Sequence, residues 1–573
     1  MEKRPRHRIA RRYPEAKRRI FVSELNTCAH CGAELKLRPN WHMRKTIQTM
    51  QGALFLAGRA KTCTNEECSH CGTRYYASQV WLLSLPESSY GLDVLAYIGW
   101  RHEHDQRQLV EIQRELNQKG IEINERNVGK LYRQYLALLG ATSEGIRKKL
   151  EAIVEKHGGL IFGIDALQPE GHGSLLYVLY EILSGRVVSA IQLERPNEKD
   201  LTDWLKTYQS YPVLASVSDG EERIIAALRA VWPNAPRQRC QEHFLGNLAD
   251  EVLENDTELR KQMRVDLGGL PKTADFPENS SFFLSPTGST EAESAKELIE
   301  IEGQFRMAIR DAVNRATRKP FYWGGLKGYH QLESIAQALH TMPVGENAFF
   351  SRLIRQVDRT LENNRQLAET IDKTYTWFLR IAACLHYPPR SYVDVPAPTS
   401  YQVKQEMEEL LRNFESDAYS QVVPRSLYSG LRKRWNLFGD DLLHCFDIPG
   451  LPQDNLKVES LFGQLRCHQR RISGRKSTQP LRDFGHYQIL FGAESEDQLL
   501  EQLRGVPIED YQEQRKMQAQ AEASRQFLAR LHRNPAKTMQ NLAEKYIAHL
   551  PVGQHSNLFF ATPVPETLQQ YTT

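Results

Sequence analysis

No run of eighteen consecutive apolar residues occurs anywhere in the 573-residue chain. That argues against a transmembrane helix and against the apolar centre of a secretory signal. A charge excess is missing too: the net charge of +4 is too small for the overall field alone to mark a nucleic-acid-binding protein. Cysteine is sparse, and its placement matters more than its number. Five of the nine cysteines fall between residues 28 and 71, a poor match to a disulfide-stapled secreted scaffold in a chain of this length. A reducing compartment and a metal site fit better, so a cytoplasmic setting is expected. The 40 % hydrophobic and 25 % charged composition is that of an ordinary globular protein. Its length exceeds one core, and about three to five domains follow.

What charge there is collects at the start. Residues 1–20 hold nine Lys or Arg (Lys3, Arg4, Arg6, Arg8, Arg11, Arg12, Lys17, Arg18 and Arg19) against two Glu. Such a block reads as a solvated basic arm that engages phosphates. Glu2, Glu15 and the scarcity of Ser speak against a transit peptide.

Residues 21–85 read as a zinc-binding module. Cys28-Ala29-His30-Cys31 is one short-spaced thiol pair, and Cys63 with Cys68 is a second, followed by His70 and Cys71. Two such knuckles close a tetrahedral Zn²⁺ site, which needs four soft ligands. Cys28, Cys31, Cys63 and Cys68 are the expected ligands, with Cys71 or His70 as the alternative fourth. Four protein ligands leave no position for water, so the metal would be structural.

Residues 86–150 follow with helical periodicity. One apolar face carries Leu92, Val94, Leu95 and Ile98, a second Leu109, Ile112 and Leu116, and a third Val128, Leu131, Tyr132 and Tyr135. A Gly-containing break, Lys119 to Asn124, separates the last two, and Asn124 suits an N-cap. Helix, short turn, helix is the spacing of a helix-turn-helix DNA-binding domain. In that reading Arg126, Asn127, Lys130 and Arg133 lie on or near the face that enters a major groove; a small helical bundle without DNA contact is the alternative.

From residue 158 the period changes. Leu160–Ala166, Ser174–Leu183 and Val187–Leu193 read as a three-strand antiparallel meander with a turn at Ser184-Gly185. Then come a helix over 200–208, a buried strand over 212–218, a helix over 221–231, a short strand at 237–240 and a helix from Phe244. The order βββαβα(β)α is that of an RNase H-like fold, with residues 158–260 its first part. Its first and fourth strands sit side by side, which brings Asp165 and Asp219 together. Residues 261–440, with long helical patterns at 291–318, 348–386 and 403–415, read as a mostly α-helical insertion. Residues 441–490 return to the α/β core with Glu459 on a helix, and residues 491–573 form a charged helical region that either packs on the core or mediates self-association.

Two carboxylates at strand ends and one on a helix suit a pair of Mg²⁺ or Mn²⁺ ions and in-line attack at a phosphodiester. This reads as a nuclease or strand-transfer enzyme. Arg466, Arg470, Arg471, Arg475 and Lys476 follow Glu459 and would point cations at neighbouring phosphates. Arg223, Arg237 and Arg239 are candidates to extend that patch. Glu242 and Asp454 are the next acids of interest. Trp323, in the aromatic stretch Phe321-Tyr322-Trp323, is a candidate to stack on an extruded base, although core packing is the stronger expectation for it.

The motifs that carry a family resemblance are Gly163-Ile164-Asp165, Val217-Ser218-Asp219-Gly220, Cys240-Gln241-Glu242-His243 and Asn455-Leu456-Lys457-Val458-Glu459-Ser460-Leu461-Phe462. Together they resemble DDE transposases, similar to Mutator-like elements and related bacterial insertion-sequence enzymes, over 158–250 and 440–480. Where that family often has two Asn before the Glu, this chain has Asp454-Asn455. The resemblance implies an RNase H-like core and two-metal-ion cleavage and strand transfer of double-stranded DNA. Asp165 would bridge two Mg²⁺, with Asp219 on one and Glu459 on the other, and His243 is a candidate DNA contact. It also implies a homodimer or larger assembly on element ends, and a nucleoid-associated, prokaryotic setting. A transposase-derived regulator that binds without cutting, and a non-transposing nuclease of the same fold, are the competing readings.

Overall fold

The computed structural model describes residues 13–168, 174–269, 290–342, 348–389, 397–419, 425–475, 477 and 484–548. The protein is mixed α/β and divides into two compact units, residues 1–145 with 493–573 and residues 146–492. No helix among the described residues is long and apolar enough to cross a membrane.

The first unit opens with strands β1 (Lys17–Val22), β2 (Lys36–Thr49), β3 (Gly52–Thr62) and the short β4 (Arg74–Tyr75). β3 runs antiparallel to β2, parallel to β1, and pairs with β4 at its end. Ile47 and Leu56 come from the paired strands β2 and β3, and both are fully buried against Ala77 and Val80. The helical faces expected from periodicity are present as α1 (Leu92–Glu103), α2 (Leu109–Gln118) and α3 (Glu125–Gly140). Val94, Leu95, Ile98, Ile112, Leu116, Val128 and Tyr135 are each fully buried, which is why these helices hold together. Asn124 Oδ1 accepts the Asn127 N–H at 2.9 Å, an N-cap that stabilises a helix start by about 1 kcal/mol. Arg101 on α1 donates to both carboxylate oxygens of Glu115 on α2 at 2.8 and 2.9 Å.

The second unit begins within α4 (Ser143–His157) and contains β5 (Leu160–Leu167), β6 (Leu175–Glu181), β7 (Arg186–Leu193), α5 (Glu198–Lys206), β8 (Val213–Ser218), α6 (Glu222–Val231) and β9 (Arg237–Arg239). Its five-stranded sheet has the order β7-β6-β5-β8-β9. β5, β6 and β7 form the antiparallel meander, and β8 and β9 continue it in parallel. Strands with apolar residues on both sides need cover on both faces. Leu150, Leu201, Leu205, Ile224 and Leu228 from α4, α5 and α6 cover one face.

From β9 the chain enters α7 (Gln241–Asp266), longer than the helix the sequence suggests, and then α8 (Thr290–Asn314), α9 (Gly324–Thr341), α10 (Ala348–Cys384), α11 (Ser400–Tyr419) and α12 (Arg425–Phe438). These share one core that includes Leu248, Trp323, Leu353, Phe378 and Phe414. The chain then returns as α13 (Leu456–Ser473), whose Val458, Phe462 and Leu465 cover the other face of the sheet. After residue 492 come α14 (Glu496–Arg504), α15 (Ile508–Arg533) and α16 (Pro535–Ala548) of the first unit, with α14 against α1 and α15 against α3.

Candidate functional site

In the second unit β5 and β8 run parallel with Ile164 beside Ser218, so the next residue on each chain is an acid. Asp165 is 6 % exposed, and burial first, then the neighbouring Asp219, Glu459 and Glu221 carboxylates, push its carboxyl up to about 8. Its Oδ1 accepts the Ala166 N–H at 2.7 Å. Asp219 Oδ1 accepts the Glu221 N–H at 2.8 Å, so it shapes the turn into α6 as well as facing Asp165. Gly220 has a φ of 92°, and a Cβ there would meet the Arg239 guanidinium. That guanidinium lies over the Phe438 ring at 3.8 Å and donates to the Gly220 carbonyl at 3.4 Å.

Glu459 comes from roughly 240 residues further along and is delivered by the docking of α13. The fully buried Asn455 donates from Nδ2 to the Ile164 carbonyl at 3.0 Å, beside Asp165. Gly163 makes this approach feasible, because a Cβ on it would lie 3.0 Å from Asn455 Oδ1 and 3.5 Å from Val458 Cγ2. Glu459 Oε1 is shut off from solvent without a hydrogen bond, 3.6 Å from His243 Nδ1. Burial pushes the Cys240 thiol up to about 12, and its Sγ lies 3.3 Å from the same His243 nitrogen. Cys240 and His243 therefore pack beside Glu459.

One acid that the sequence pattern did not bring forward, Glu221, joins this cluster, and the two further acids it did suggest, Glu242 and Asp454, lie beside it. Glu221 takes a hydrogen bond from the Tyr177 hydroxyl at 3.1 Å and pairs with Arg223 at 2.6 Å. Glu242 and Asp454 meet at the Tyr387 hydroxyl, a residue with no motif around it. Chemically the cluster offers hard oxygen donors, among them an enclosed Glu459 oxygen without a hydrogen bond and an Asp165 carboxyl resisting ionisation, the kind of donor set a divalent cation would suit.

The basic candidates divide. Arg470, Arg471 and Arg475 are exposed, Arg466 is half-buried with its guanidinium donating to the Gln168 carbonyl at 3.1 Å, and Lys476 lies outside the described residues. Arg223 and Arg237 are occupied by backbone carbonyls nearby. In the first unit Arg126, Lys130 and Arg133 are exposed along α3, and Asn127 is half-buried in its first turn. Of the basic arm, residues 1–12 lie outside the described residues. Trp323 requires a correction: it is fully buried, packs on Tyr375 and Phe378, and donates from Nε1 to the Pro320 carbonyl at 2.9 Å. Its ring belongs to the helical core and has no face left for a base.

The thiols of the first unit form the tighter cluster. The Sγ atoms of Cys28, Cys31, Cys63 and Cys68 all lie within 4.8 Å of one another, a group that could hold a structural metal such as zinc. Cys31 and Cys63 are 3.8 Å apart, and a tetrahedron with Zn–S bonds near 2.3 Å has edges of about 3.8 Å. Tight turns make the knuckles: the Gly32 N–H donates to the Cys28 carbonyl at 2.9 Å, and the Gly72 N–H to the Cys63 carbonyl at 2.8 Å. Cys68 rather than Cys71 or His70 completes the group; Cys71 is exposed, and His70 stacks on His30 at 3.5 Å between ring centres. The Cys28 thiol is pulled down to about 6, chiefly by the Tyr75 hydroxyl 3.1 Å away. The carboxylates of the second unit are not drawn together as closely as these thiols.

Comparison with known proteins adds no assignment: no family model matches the chain, and no curated protein matches it.

Proposed function

We propose that this chain is a DDE-type DNA transposase with an RNase H-like core, which binds the ends of a mobile element and catalyses their cleavage and transfer. One observation carries the reading. Asp165 on β5 and Asp219 just past β8 stand at the same level of adjacent parallel strands, and α13 returns Glu459 to their side through the Asn455 to Ile164 hydrogen bond. The strand order β7-β6-β5-β8-β9, with an antiparallel meander continued in parallel, supports an RNase H-like core.

Asp165, Asp219 and Glu459 would hold two Mg²⁺ or Mn²⁺ ions. Bound there, the cations would lower the pKa of an attacking water or 3′-hydroxyl and neutralise charge on the entering and leaving oxygens. The residues of this chain then position the DNA. Arg470, Arg471 and Arg475 present charge to phosphates beside the cluster, and the His243 ring stands next to Glu459 at its edge. In the first unit the zinc module supports α1 to α3, read as a helix-turn-helix with Arg126, Asn127, Lys130 and Arg133 toward DNA. Work on two ends at once calls for a dimer or larger assembly.

The deciding experiment is cleavage and strand transfer on DNA carrying the sequences that flank the chain's own coding region. Wild type is expected to nick only with Mg²⁺ or Mn²⁺. D165N, D219N and E459Q are each expected to lower the rate by about a thousandfold or more while end binding persists. A wild type that binds these ends and never cuts them would establish the regulator reading instead.

A further inference from the structure

Tyr387 lies just beyond α10, in the helical part of the second unit, and belongs to no motif. It is buried, and its ring stacks on Phe321 at 6.0 Å between centres with an interplanar angle of 16°. Its hydroxyl stands 3.1 Å from Glu242 Oε2 and 3.1 Å from Asp454 Oδ2. Each of these acids adjoins a residue that shapes the carboxylate cluster. Glu242 precedes His243, which stands beside Glu459, and Asp454 precedes Asn455, which grips the strand carrying Asp165. The backbone joins the same pieces: the Gln241 N–H donates to the Gln453 carbonyl at 2.9 Å.

A phenol carries one hydrogen and donates to one acceptor at a time. Two partly enclosed carboxylates that converge on it would repel each other if that donor were removed. The resulting separation would fall on the starts of α7 and α13. We propose that Tyr387 is a positioning residue whose hydroxyl, donating to either Glu242 or Asp454, eases the repulsion between the two acids and so sets α13 and its Glu459 against Asp165. The helical insertion then contributes to the geometry of the cation site through one oxygen atom. This inference rests on the two-cation reading given above. Tyr387 itself touches neither the reacting atoms nor the cation ligands.

The test uses the full-length protein and Y387F, which removes the hydroxyl and keeps the ring on Phe321. Mn²⁺ binding is followed by electron paramagnetic resonance, with D165N marking the signal that belongs to the carboxylate cluster. Y387F is expected to raise the Mn²⁺ concentration for half-saturation about threefold to tenfold. It is also expected to lower the single-turnover cleavage rate on the order of tenfold to a hundredfold, with unchanged end-binding Kd and unchanged Tm. E242Q combined with Y387F restores a hydrogen-bond donor and removes one charge, and is expected to recover most of the Mn²⁺ affinity. Y387F with wild-type Mn²⁺ binding and cleavage would overturn the proposal. So would a lowered Tm with losses that E242Q does not rescue, which is the mark of a packing role. If wild type binds Mn²⁺ at the cluster yet cuts no DNA, the transposase reading fails while a rescued shift in Mn²⁺ binding still supports Tyr387. If D165N removes no Mn²⁺ signal, both fail.

Discussion

Asn455 joins its side chain to a carbonyl 291 residues away, and the candidate site exists because of such single contacts. A titration prediction belongs at the same scale. His486 is partly buried with its Nδ1 shut off from solvent and unpartnered, and burial pushes its ring down to about 4. An unfolded chain would protonate this ring near pH 6.5. Between pH 6.5 and 4 the unfolded state thus holds a proton that the folded state refuses, so stability is full above that window and falls as pH drops through it. Asp165, held up at about 8, works in the opposite direction over this range, so the His486 contribution is read as a difference: relative to His486→Leu, wild type should lose denaturation midpoint as pH falls from 7.5 to 5. At this scale much of the site was legible. Asp165, Asp219, Glu459 and Asn455 stand out by their local contexts, and the structure gathers them. Tyr387 and Glu221 did not stand out, because their meaning lies in partners such as Asp454, 67 residues away in the chain, which no local pattern records.

Among the elements, those with a strong period were read well and those held by remote side chains were not. The meander, the helices around 92–140 and the long helix Ala348–Cys384 follow from apolar spacing. Helix α9 was missed as an element. It opens with Gly324-Gly325, which are poor helix formers, and its first turn is capped from outside. Asp256 on α7, fully buried, accepts the Gly325 and Leu326 N–H groups at 3.1 and 2.8 Å and the Thr317 hydroxyl at 2.8 Å. A carboxylate some 70 residues upstream thus starts a helix whose own sequence starts it poorly. Asp256→Ala would strand two buried backbone donors and the half-buried Thr317 hydroxyl, and is expected to cost roughly 2–4 kcal/mol. The second unit's denaturant midpoint should fall accordingly, while the expected first-unit function, end binding, should weaken little. The same reasoning explains Trp323: its aromatic neighbourhood reads more readily as core than as a stacking loop, and the packing of Tyr375 and Phe378 from α10 against it settles the matter for core.

For the whole molecule, the division into units separates two clusters of side chains, the four thiols in one and the buried carboxylates in the other. Loss of the thiol-bound metal should therefore act on the first unit alone. Cys63→Ser, or removal of zinc by a thiol-selective chelator, is expected to make residues 13–145 far more sensitive to limited proteolysis and to abolish end binding. Mn²⁺ uptake at Asp165 should survive, and mass spectrometry of the cleavage products distinguishes the two units directly. The length and composition of the chain implied several cores but gave no hint that α14 and α15 rejoin the first helices, since the return is a matter of complementary faces rather than of any local signal.

That return has a consequence for how the protein is made. The first unit is interrupted at residue 145 and resumes at 493, with the 347 residues from 146 to 492 between (492 − 146 + 1 = 347). At synthesis rates of about 5–20 residues per second, those residues occupy the ribosome for roughly 20–70 s. Throughout that interval the nascent helices α1 and α3 lack the α14 and α15 faces that complete them, whereas the carboxylate-bearing unit has every residue it needs before α14 emerges. A newborn chain thus completes its carboxylate-bearing unit before its thiol-bearing unit, and a chain cut short soon after residue 492 carries the one whole and the other unfinished.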